Sequence, residues 1–343
     1  MSALVPLADV AYVEPWWMQV LKSIVIFLVG LQILPVMIVA ERKILGRFQN
    51  RIGPNRVGPF GILQPLAEIV KFATKEQFRP RTAIGWLFAI APTISITTAV
   101  AAFAIIPFGD TVDIFGTKTG LYGIDPSIGI LYAFAFGAIA FYGIMLGGWA
   151  SGSKYSFLGA MRGAAQLISY EVSQGMALVG VVITAQTLSL TGIVHAQEGM
   201  WFILPQVVGF LVFMVASFAE TNRAPFDLVE ADAELVGGYN TEYGGARFAS
   251  FFFAEYLNVI VVSGIATTVF LGGWLIPGVD TPGWAQPLVV LSKMMLFVFV
   301  FIWVRATLPR LRYDQLMSFG WKILLPLATL NALVTAIVLV ATD

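Results

Sequence analysis

The chain contains no cysteine and only one histidine, His195, among its 343 residues. Without thiolates it can neither form disulfides nor ligate an iron–sulfur cluster, and one imidazole cannot supply a paired-histidine haem or metal site. The glycine motifs that bind dinucleotides and nucleoside triphosphates are also missing. The formal net charge is zero, which gives no basis for nucleic-acid binding. Any redox carrier would therefore belong to another chain or to a small molecule.

Charge is scarce and apolar sequence is abundant: 12% of the residues are charged, 58% are hydrophobic, and the mean hydropathy is +0.83. About eight stretches reach the roughly 20 apolar residues needed to cross a bilayer, and a spanning segment must be helical to satisfy its own backbone. The sequence thus predicts an all-α polytopic membrane protein with a single membrane domain, residues 1–343. The predicted spans are Trp16–Ala40, Ile84–Ile106, Ile130–Ala150, Ala164–Gln186, Phe202–Ala219, Phe248–Leu271, Pro287–Val304 and Trp321–Val340.

The basic residues predict the orientation. Of the 20 Lys and Arg residues, 17 follow spans one, three, five and seven or border span eight. By the positive-inside rule those loops are cytoplasmic and both termini are external. Because the first 15 residues carry Asp9 and Glu14 but no Lys or Arg, we expect no removable targeting segment.

The first cytoplasmic loop, residues 41–83, has two different halves. The first half is basic and rich in turn-forming Gly and Pro. The second half places Ile62, Leu66, Ile69 and Val70 on one helical face, which predicts an amphipathic helix lying in the membrane interface. The alternative is a cationic loop that only anchors the chain to anionic lipid.

Two carboxylates fall inside predicted spans, Glu171 in span four and Glu255 in span six. Ionisable groups within a membrane are costly and mark proton or ion pathways by default. The alternative is a structural carboxylate satisfied by neighbouring helices. Lys293 in span seven is either the counter-charge of Glu255 or a snorkelling residue, and Lys22 is expected to snorkel. His195 is expected at the surface.

The loop after span five, residues 220–247, is unusually acidic. The spacing of Asp227, Glu230 and Glu234 predicts one helical face, with Pro225 in the first turn and Gly237–Gly238 at the end. Like charges so crowded would share protons and titrate as a group. The alternative is a solvated acidic loop, but apolar residues are interleaved with the carboxylates. The six carboxylates of this acidic loop are Glu220, Asp227, Glu230, Asp232, Glu234 and Glu242.

Several long motifs, in order along the chain, resemble the family of the H-type membrane subunit (subunit 1) of the proton-pumping NADH:quinone oxidoreductase, respiratory complex I. The resemblance extends over essentially the whole chain. Glu68 stands where many family members have Asp, which keeps the carboxylate. The motifs are ERKILGRFQNRIGPNRVGPFGILQPLAE (Glu41–Glu68), KFATKE (Lys71–Glu76), RGAAQLISYE (Arg162–Glu171), AETNRAPFDLVEADAELVGGYNTEY (Ala219–Tyr243) and RATLPRLRYDQLM (Arg305–Met317).

The resemblance implies a quinone substrate, expected to be ubiquinone, and no flavin, haem, iron–sulfur cluster, metal or catalytic residue in this chain. It implies hydrophilic quinone-site and iron–sulfur subunits on the cytoplasmic side, small and antiporter-like membrane subunits laterally, and a bacterial inner membrane, with a mitochondrial one as the alternative. The implied quinone-tunnel residues are Glu41, Arg42, Arg51, Arg56, Glu68 and Lys71. The implied proton-coupling residues are Glu171, Glu220, Arg223, Asp227, Glu230, Asp232, Glu234, Glu242 and Glu255.

Other functions are compatible with embedded carboxylates. The membrane subunit of an energy-converting hydrogenase is homologous and need not bind quinone. A proton-coupled secondary transporter would carry internal repeats, and the spans contain none that we recognise. A purely structural anchor for a soluble enzyme would tolerate neutralisation of its carboxylates.

Overall fold

A computed structural model describes residues 15–114, 117–230 and 232–342, with the backbone alone described at residues 114, 117, 232 and 233. Its helices are α1 (Trp16–Phe48), α2 (Gln64–Thr74), α3 (Gly85–Phe103), α4 (Gly129–Ala150), α5 (Lys154–Ala185), α6 (Leu190–His195), α7 (Val207–Glu220), α8 (Asp232–Leu235), α9 (Gly245–Phe270), α10 (Gln286–Thr307), α11 (Tyr313–Phe319) and α12 (Leu325–Thr342). A π-helical segment, Gly320–Leu324, makes α11 and α12 one continuous helix. Two short strands, β1 (Thr111–Ile114) and β2 (Thr117–Gly120), pair antiparallel.

Seven of the described helices are long and apolar enough to cross a membrane, which confirms the predicted all-α polytopic class. The fifth predicted span, Phe202–Ala219, is the one that is shorter than expected. Helix α7 has 14 residues, about 21 Å of helix, and residues 202–206 form turns before it. The two ends of this irregular segment are covered by protein: Phe202 and Gln206 are buried, and the Phe202 N–H donates to Gln197 Oε1 at 3.0 Å.

Two helices extend beyond their predicted ends on the basic side. Helix α1 continues to Phe48, so Glu41 and Arg42 are helical rather than part of a loop. Helix α5 begins at Lys154, ten residues before the predicted span, because its first turns pack against the acidic loop instead of ending at the membrane surface. The amphipathic helix is present as α2, and Leu66 and Val70 remain exposed on its apolar face.

The loops gather at the two ends of the helix bundle as the predicted topology requires. At the end that carries the basic loops, Leu311 N donates to Pro225 O and Ile84 N to Ala150 O. At the opposite end, Asp110 N donates to Gln286 Oε1 at 2.7 Å. The β1–β2 hairpin lies in the loop between α3 and α4 and was not predicted. Asp9 and Glu14 lie outside the described residues.

The embedded lysine does not neutralise the embedded carboxylate. Lys293 Nζ donates to the carbonyl oxygens of Leu271, Gly273 and Leu275 at 2.7, 2.8 and 2.7 Å, and so binds the chain just beyond the end of α9. The hypothesis that Lys293 is the counter-charge of Glu255 is therefore wrong.

His195 is 45% exposed, as expected for a surface residue, with its Nδ1 3.3 Å from Glu198 Oε1.

Candidate functional site

Four charged side chains from four separate elements meet inside the bundle; we call them the buried charge cluster. Arg223, in the turn after α7, lies 3.3 Å from Glu41 of α1 (Nη1 to Oε1) and 2.8 Å from Glu255 of α9 (Nε to Oε1). Arg305, at the end of α10, donates a hydrogen bond to the same Glu41 oxygen. The Tyr256 ring lies against the Arg223 guanidinium, with 4.2 Å between its centroid and Cζ. Two carboxylates thus face two guanidinium groups.

The electrostatics of this cluster depend on burial. The side chains of Glu41 and Arg223 are only 4% and 6% exposed. Burial alone would lower the pKa of Arg223, but the charges of Glu255 and Glu41 outweigh it and raise the pKa above its ordinary value. Arg223 therefore stays cationic. An unpaired ion in the interior costs roughly several kcal/mol, so Glu41, Arg223 and Glu255 depend on their partners, whereas the Arg305 side chain is 40% exposed.

The acidic loop does not form the predicted helix. Residues 221–230 are turns, the Ala224–Pro225 peptide bond is cis, and helix begins only at α8. Phe226, Leu228 and Val229 are all buried, but Phe226 and Leu228 pack in the main core whereas Val229 packs in a second cluster with Phe88 and Tyr239, so the segment turns between two separate sites of burial. The predicted common face of Asp227, Glu230 and Glu234 is therefore wrong, although the interleaved apolar residues correctly indicated a packed loop.

The carboxylates of the acidic loop occupy different environments. Glu220, at the end of α7, accepts a hydrogen bond from Gln174 Nε2 at 2.6 Å. Glu230 accepts one from Asn240 Nδ2 at 2.9 Å. Glu234 is 52% exposed and accepts one from Arg162 Nη1 at 2.6 Å, and that bond lowers its pKa. Asp227 and Glu242 are partly buried, while the side chain of Asp232 lies outside the described part of the chain.

A cavity between α3, α4, α5, α7 and α9 joins two carboxylates of the acidic loop to Glu255 of the buried charge cluster. Glu220, Glu230 and Glu255 line it together with Tyr239 and Asn258. It offers about 70 Å³ to the centres of water molecules, and one water needs roughly 10–15 Å³. Burial, followed by the charges of Glu230 and Glu255, raises the pKa of the Tyr239 phenol well above its ordinary value, so the phenol stays protonated. The cavity can hold a short chain of water between acidic groups.

Helix α5 carries Glu171 beside this region. Glu171 is partly buried and lies one turn before Gln174, the residue that holds Glu220. Residues three apart on a helix share a face, so Glu171 and Gln174 project toward the same side. Among the described residues, no cluster of His, Asp and Glu side chains is arranged to hold a metal ion.

A second, largely apolar crevice lies between α1, α2 and α9. Glu68 of α2 faces it, along with Leu31 and Ile38 of α1 and Phe72 and Phe253. Arg42 forms an ion pair with Glu68. Because Glu41 lies three residues after Ile38 on the same helix, the crevice ends about one helical turn from the buried charge cluster.

The remaining predicted tunnel residues lie at the surface. Arg51 is exposed and its Nε donates to Gln49 Oε1 at 2.6 Å, Arg56 is exposed, and the Lys71 ammonium lies 4.5 Å from the centre of the Phe72 ring. Sequence reasoning missed Arg305, Tyr239 and Tyr256. Arg305 stands in a recognised motif at a predicted span end, and only its position beside Glu41 shows its importance.

The fold and the site define a class: an all-helical polytopic membrane protein with charged groups paired across its interior. The model of the NADH dehydrogenase family matches residues 21–336. A relative from Geobacter metallireducens, an H-type subunit of NADH-quinone oxidoreductase, is 52% identical over 93% of this chain and 95% of its own length. The H-type subunits from Protochlamydia amoebophila and Thermomicrobium roseum are 50% and 48% identical over 86% and 92% of this chain and 90% and 96% of their own lengths.

The chain belongs to the NADH dehydrogenase family. The resemblance that its motifs predicted is thereby confirmed over nearly its whole length. By name, the relatives are H-type subunits of the enzyme NADH-quinone oxidoreductase.

Proposed function

We propose that this chain is the membrane subunit of a proton-translocating NADH:quinone oxidoreductase, that it admits quinone from the bilayer, and that it couples quinone reduction to proton movement. Its family membership, the names of its relatives and its apolar helices support this role. The bacterial inner membrane, with both termini external, is the proposed location. The relatives' names favour this function over that of a hydrogenase component or a secondary transporter.

The crevice between α1, α2 and α9 is the proposed entry route for quinone. It opens beside the exposed apolar face of α2, which would lie in the membrane interface, and its walls are mostly apolar. Glu68 and Arg42 place one ion pair at an otherwise apolar wall. Arg51, Arg56 and Lys71 are exposed at the same end of the bundle and would contact the hydrophilic quinone-site and iron–sulfur subunits.

The single observation that carries the proposal is the position of Glu41. It belongs both to the helix that lines the crevice and to the buried charge cluster. Quinone reduction consumes two electrons, supplied by a partner chain, and two protons. A negative charge that develops about 10 Å from a carboxylate at an effective dielectric of 20 changes its energy by about 1.7 kcal/mol, more than one pKa unit. A charge on quinone would thus redistribute protons in the cluster.

The proposed direction of coupling runs from this cluster into the cavity. Glu255 belongs to both, and Glu220 and Glu230 share the cavity with it. Glu171 would carry the effect along α5 toward small and antiporter-like membrane subunits. Asp227, Asp232, Glu234 and Glu242 would tune the charge of the acidic loop rather than carry protons through the bundle.

The entry route can be tested with the purified complex and a photoreactive quinone analogue. Labelling followed by peptide mapping should place the label within residues 31–72 or 248–257 of this chain, and excess unmodified quinone should suppress it. A matched photoreactive alkane of similar length controls for general lipid-facing labelling. Quinone-suppressible label only on other segments or other subunits would refute the proposed route.

A further inference from the structure

Gln166 of α5 binds the backbone on both sides of the turn that carries Arg223. Its side-chain Nε2 donates to the Ala219 carbonyl at the end of α7 and to the Phe226 carbonyl beyond the turn, each at 2.7 Å. The same nitrogen lies 3.4 Å from Asn222 Oδ1. Gln166 itself is fully buried. The two backbone acceptors bracket Arg223 in sequence.

Few other backbone hydrogen bonds among the described residues could fix the distance of the turn from the bundle. Arg223 N donates to Phe218 O at 3.2 Å and Phe226 N donates to Arg223 O at 2.8 Å, but both bonds lie within the segment itself. Leu311 N, which donates to Pro225 O at 3.1 Å, ties the outer side of the turn to the α10–α11 connection. On the inner side, the hydrogen bonds of Gln166 tie the backbone of the turn to α5, and the Tyr170 ring of α5 packs against Phe226 with 5.4 Å between ring centroids.

The chemistry of this contact requires an amide. A glutamine NH₂ offers two donors, which match the two carbonyl acceptors. Methionine has nearly the same shape but offers no donor. A neutral carboxylic acid offers one donor, whereas a carboxylate offers none and would face two carbonyl oxygens.

We infer that Gln166 is a positioning residue, which holds the Ala219–Phe226 turn so that Arg223 reaches Glu41 and Glu255 together. The inference rests on the proposed coupling function of the buried charge cluster. In the described part of the chain, the hydrogen bonds of Gln166 go to Ala219, Asn222 and Phe226 and not to the charged groups of the cluster. Gln166 acts by fixing the backbone from which the Arg223 guanidinium extends between α1 and α9.

The test uses the whole complex in native membranes with Gln166→Met and Gln166→Glu. Gln197→Met is a matched control, because Gln197 is also fully buried and its Nε2 donates to two backbone carbonyls, Ile193 O and Thr268 O, at the opposite end of the bundle. Electron transfer from NADH to a soluble artificial acceptor reports how much of the hydrophilic, electron-carrying part of the complex is assembled. NADH:quinone reductase activity, expressed per unit of that assembled enzyme, is then measured across pH.

Gln166→Met is expected to lower quinone reductase kcat about fivefold to tenfold per assembled complex, with the quinone KM changed less than about twofold. In Gln166→Glu the activity relative to the unmodified enzyme should fall as pH rises, because ionisation removes the one remaining donor. Gln197→Met should leave activity per complex and its pH profile unchanged.

Three results would overturn the inference. One is full activity of Gln166→Met; another is an equal loss in Gln166→Met and Gln197→Met; the third is a pH profile of Gln166→Glu parallel to that of Gln166→Met. Arg223→Gln distinguishes failure of the positioning role of Gln166 from failure of the coupling function of the buried charge cluster. Full quinone reduction in Arg223→Gln would refute the proposed coupling function itself, whereas an inactive Arg223→Gln beside a fully active Gln166→Met would refute only the positioning role.

Discussion

Arg223 and Glu255 form a buried ion pair, with 2.8 Å between Arg223 Nε and Glu255 Oε1. The same guanidinium lies 3.3 Å from Glu41, which is 182 residues away in the sequence. One cation therefore bridges two carboxylates that come from different helices, and Arg305 supplies the second positive charge. Breaking such a buried pair by removing one partner costs about 3–5 kcal/mol, because the remaining charge is left uncompensated.

Replacing Arg223 should therefore be more damaging than removing the pair as a unit. Arg223→Gln is expected to reduce both the amount of assembled complex and its quinone reductase activity more than about tenfold. Arg223→Gln combined with Glu255→Gln should recover part of the assembly, because one orphaned carboxylate is gone. Immunoblots of native gels measure this, and a double variant that assembles worse than Arg223→Gln alone would contradict the pairing.

The exposed pair Arg162–Glu234 should contribute little. Its side chains are 27% and 52% exposed, and exposed ion pairs typically contribute about 0–1 kcal/mol. Glu234→Gln is thus expected to keep near-normal quinone reduction. The hydrogen bond from Arg162 lowers the pKa of Glu234, so the pair's small stabilisation is present above the ordinary value of 4.5 and is lost as pH falls through the lowered pKa.

A double-mutant cycle with Arg162→Gln and Glu234→Gln checks the direction of this pH dependence. The coupling free energy, measured by thermal unfolding of the purified complex, should be small at neutral pH and should vanish under strongly acidic conditions or in high salt. A coupling that grows as the pH falls would show that the Glu234 carboxyl is not the stabilised ionic partner.

Close packing of α5 against the acidic loop predicts a contrast between two glycines. A Cβ added at Gly159 would lie 2.8 Å from Gly238 Cα and 2.9 Å from Val229 O, both backbone atoms. At Gly175, on the same helix, its nearest neighbour would be Phe134 Cζ at 4.0 Å. Gly159→Ala should displace the loop and lower quinone reductase activity several-fold, whereas Gly175→Ala should be tolerated and gain up to about 1 kcal/mol of helix propensity.

Activity per assembled complex and thermal stability together measure the glycine contrast. Both variants add one methyl group to one helix, so a general effect of helix propensity cancels between them. Equal activity of the two variants would mean that the loop does not rest on α5 at Gly159.

Lys293 should matter for stability rather than turnover. Its ammonium donates three hydrogen bonds to carbonyl oxygens just beyond α9, and hydrogen bonds to charged groups contribute roughly 1.5–3 kcal/mol each. Lys293→Met is expected to lower the melting temperature of the complex while quinone reductase activity per complex stays unchanged. Loss of turnover in a fully stable Lys293→Met complex would instead point to a role in charge transfer.

Local composition was enough to predict the membrane class, the two loop-bearing ends and the amphipathic helix, because hydropathy and helical periodicity are properties of neighbouring residues. Contacts across the bundle could not be predicted in this way. Glu41 was grouped with the tunnel because of its neighbours in sequence, yet it pairs with Arg223 and Arg305 in space. Nothing near Arg305 in the sequence distinguishes it from a surface arginine.

The acidic loop shows why a correct residue pattern gave a wrong secondary structure. The i, i+3, i+7 spacing of its carboxylates favours a helix only if the intervening residues can share the opposite face. Phe226 and Leu228 enter the main core, while Val229 packs with Phe88 and Tyr239 in a second cluster. Burial of these side chains in separate places outweighs the local periodicity, so the segment forms turns.

The most direct test of the coupling account is proton uptake by proteoliposomes that contain the purified complex with Glu255→Gln, measured together with NADH oxidation. Glu198→Gln is the control, because Glu198 is 69% exposed and lies at the opposite end of the bundle from the buried charge cluster. The account predicts that Glu255→Gln lowers both quinone reduction and proton uptake about tenfold, with electron transfer to a soluble acceptor unchanged, while Glu198→Gln keeps all three rates. Normal quinone reduction and normal proton uptake in Glu255→Gln would contradict it.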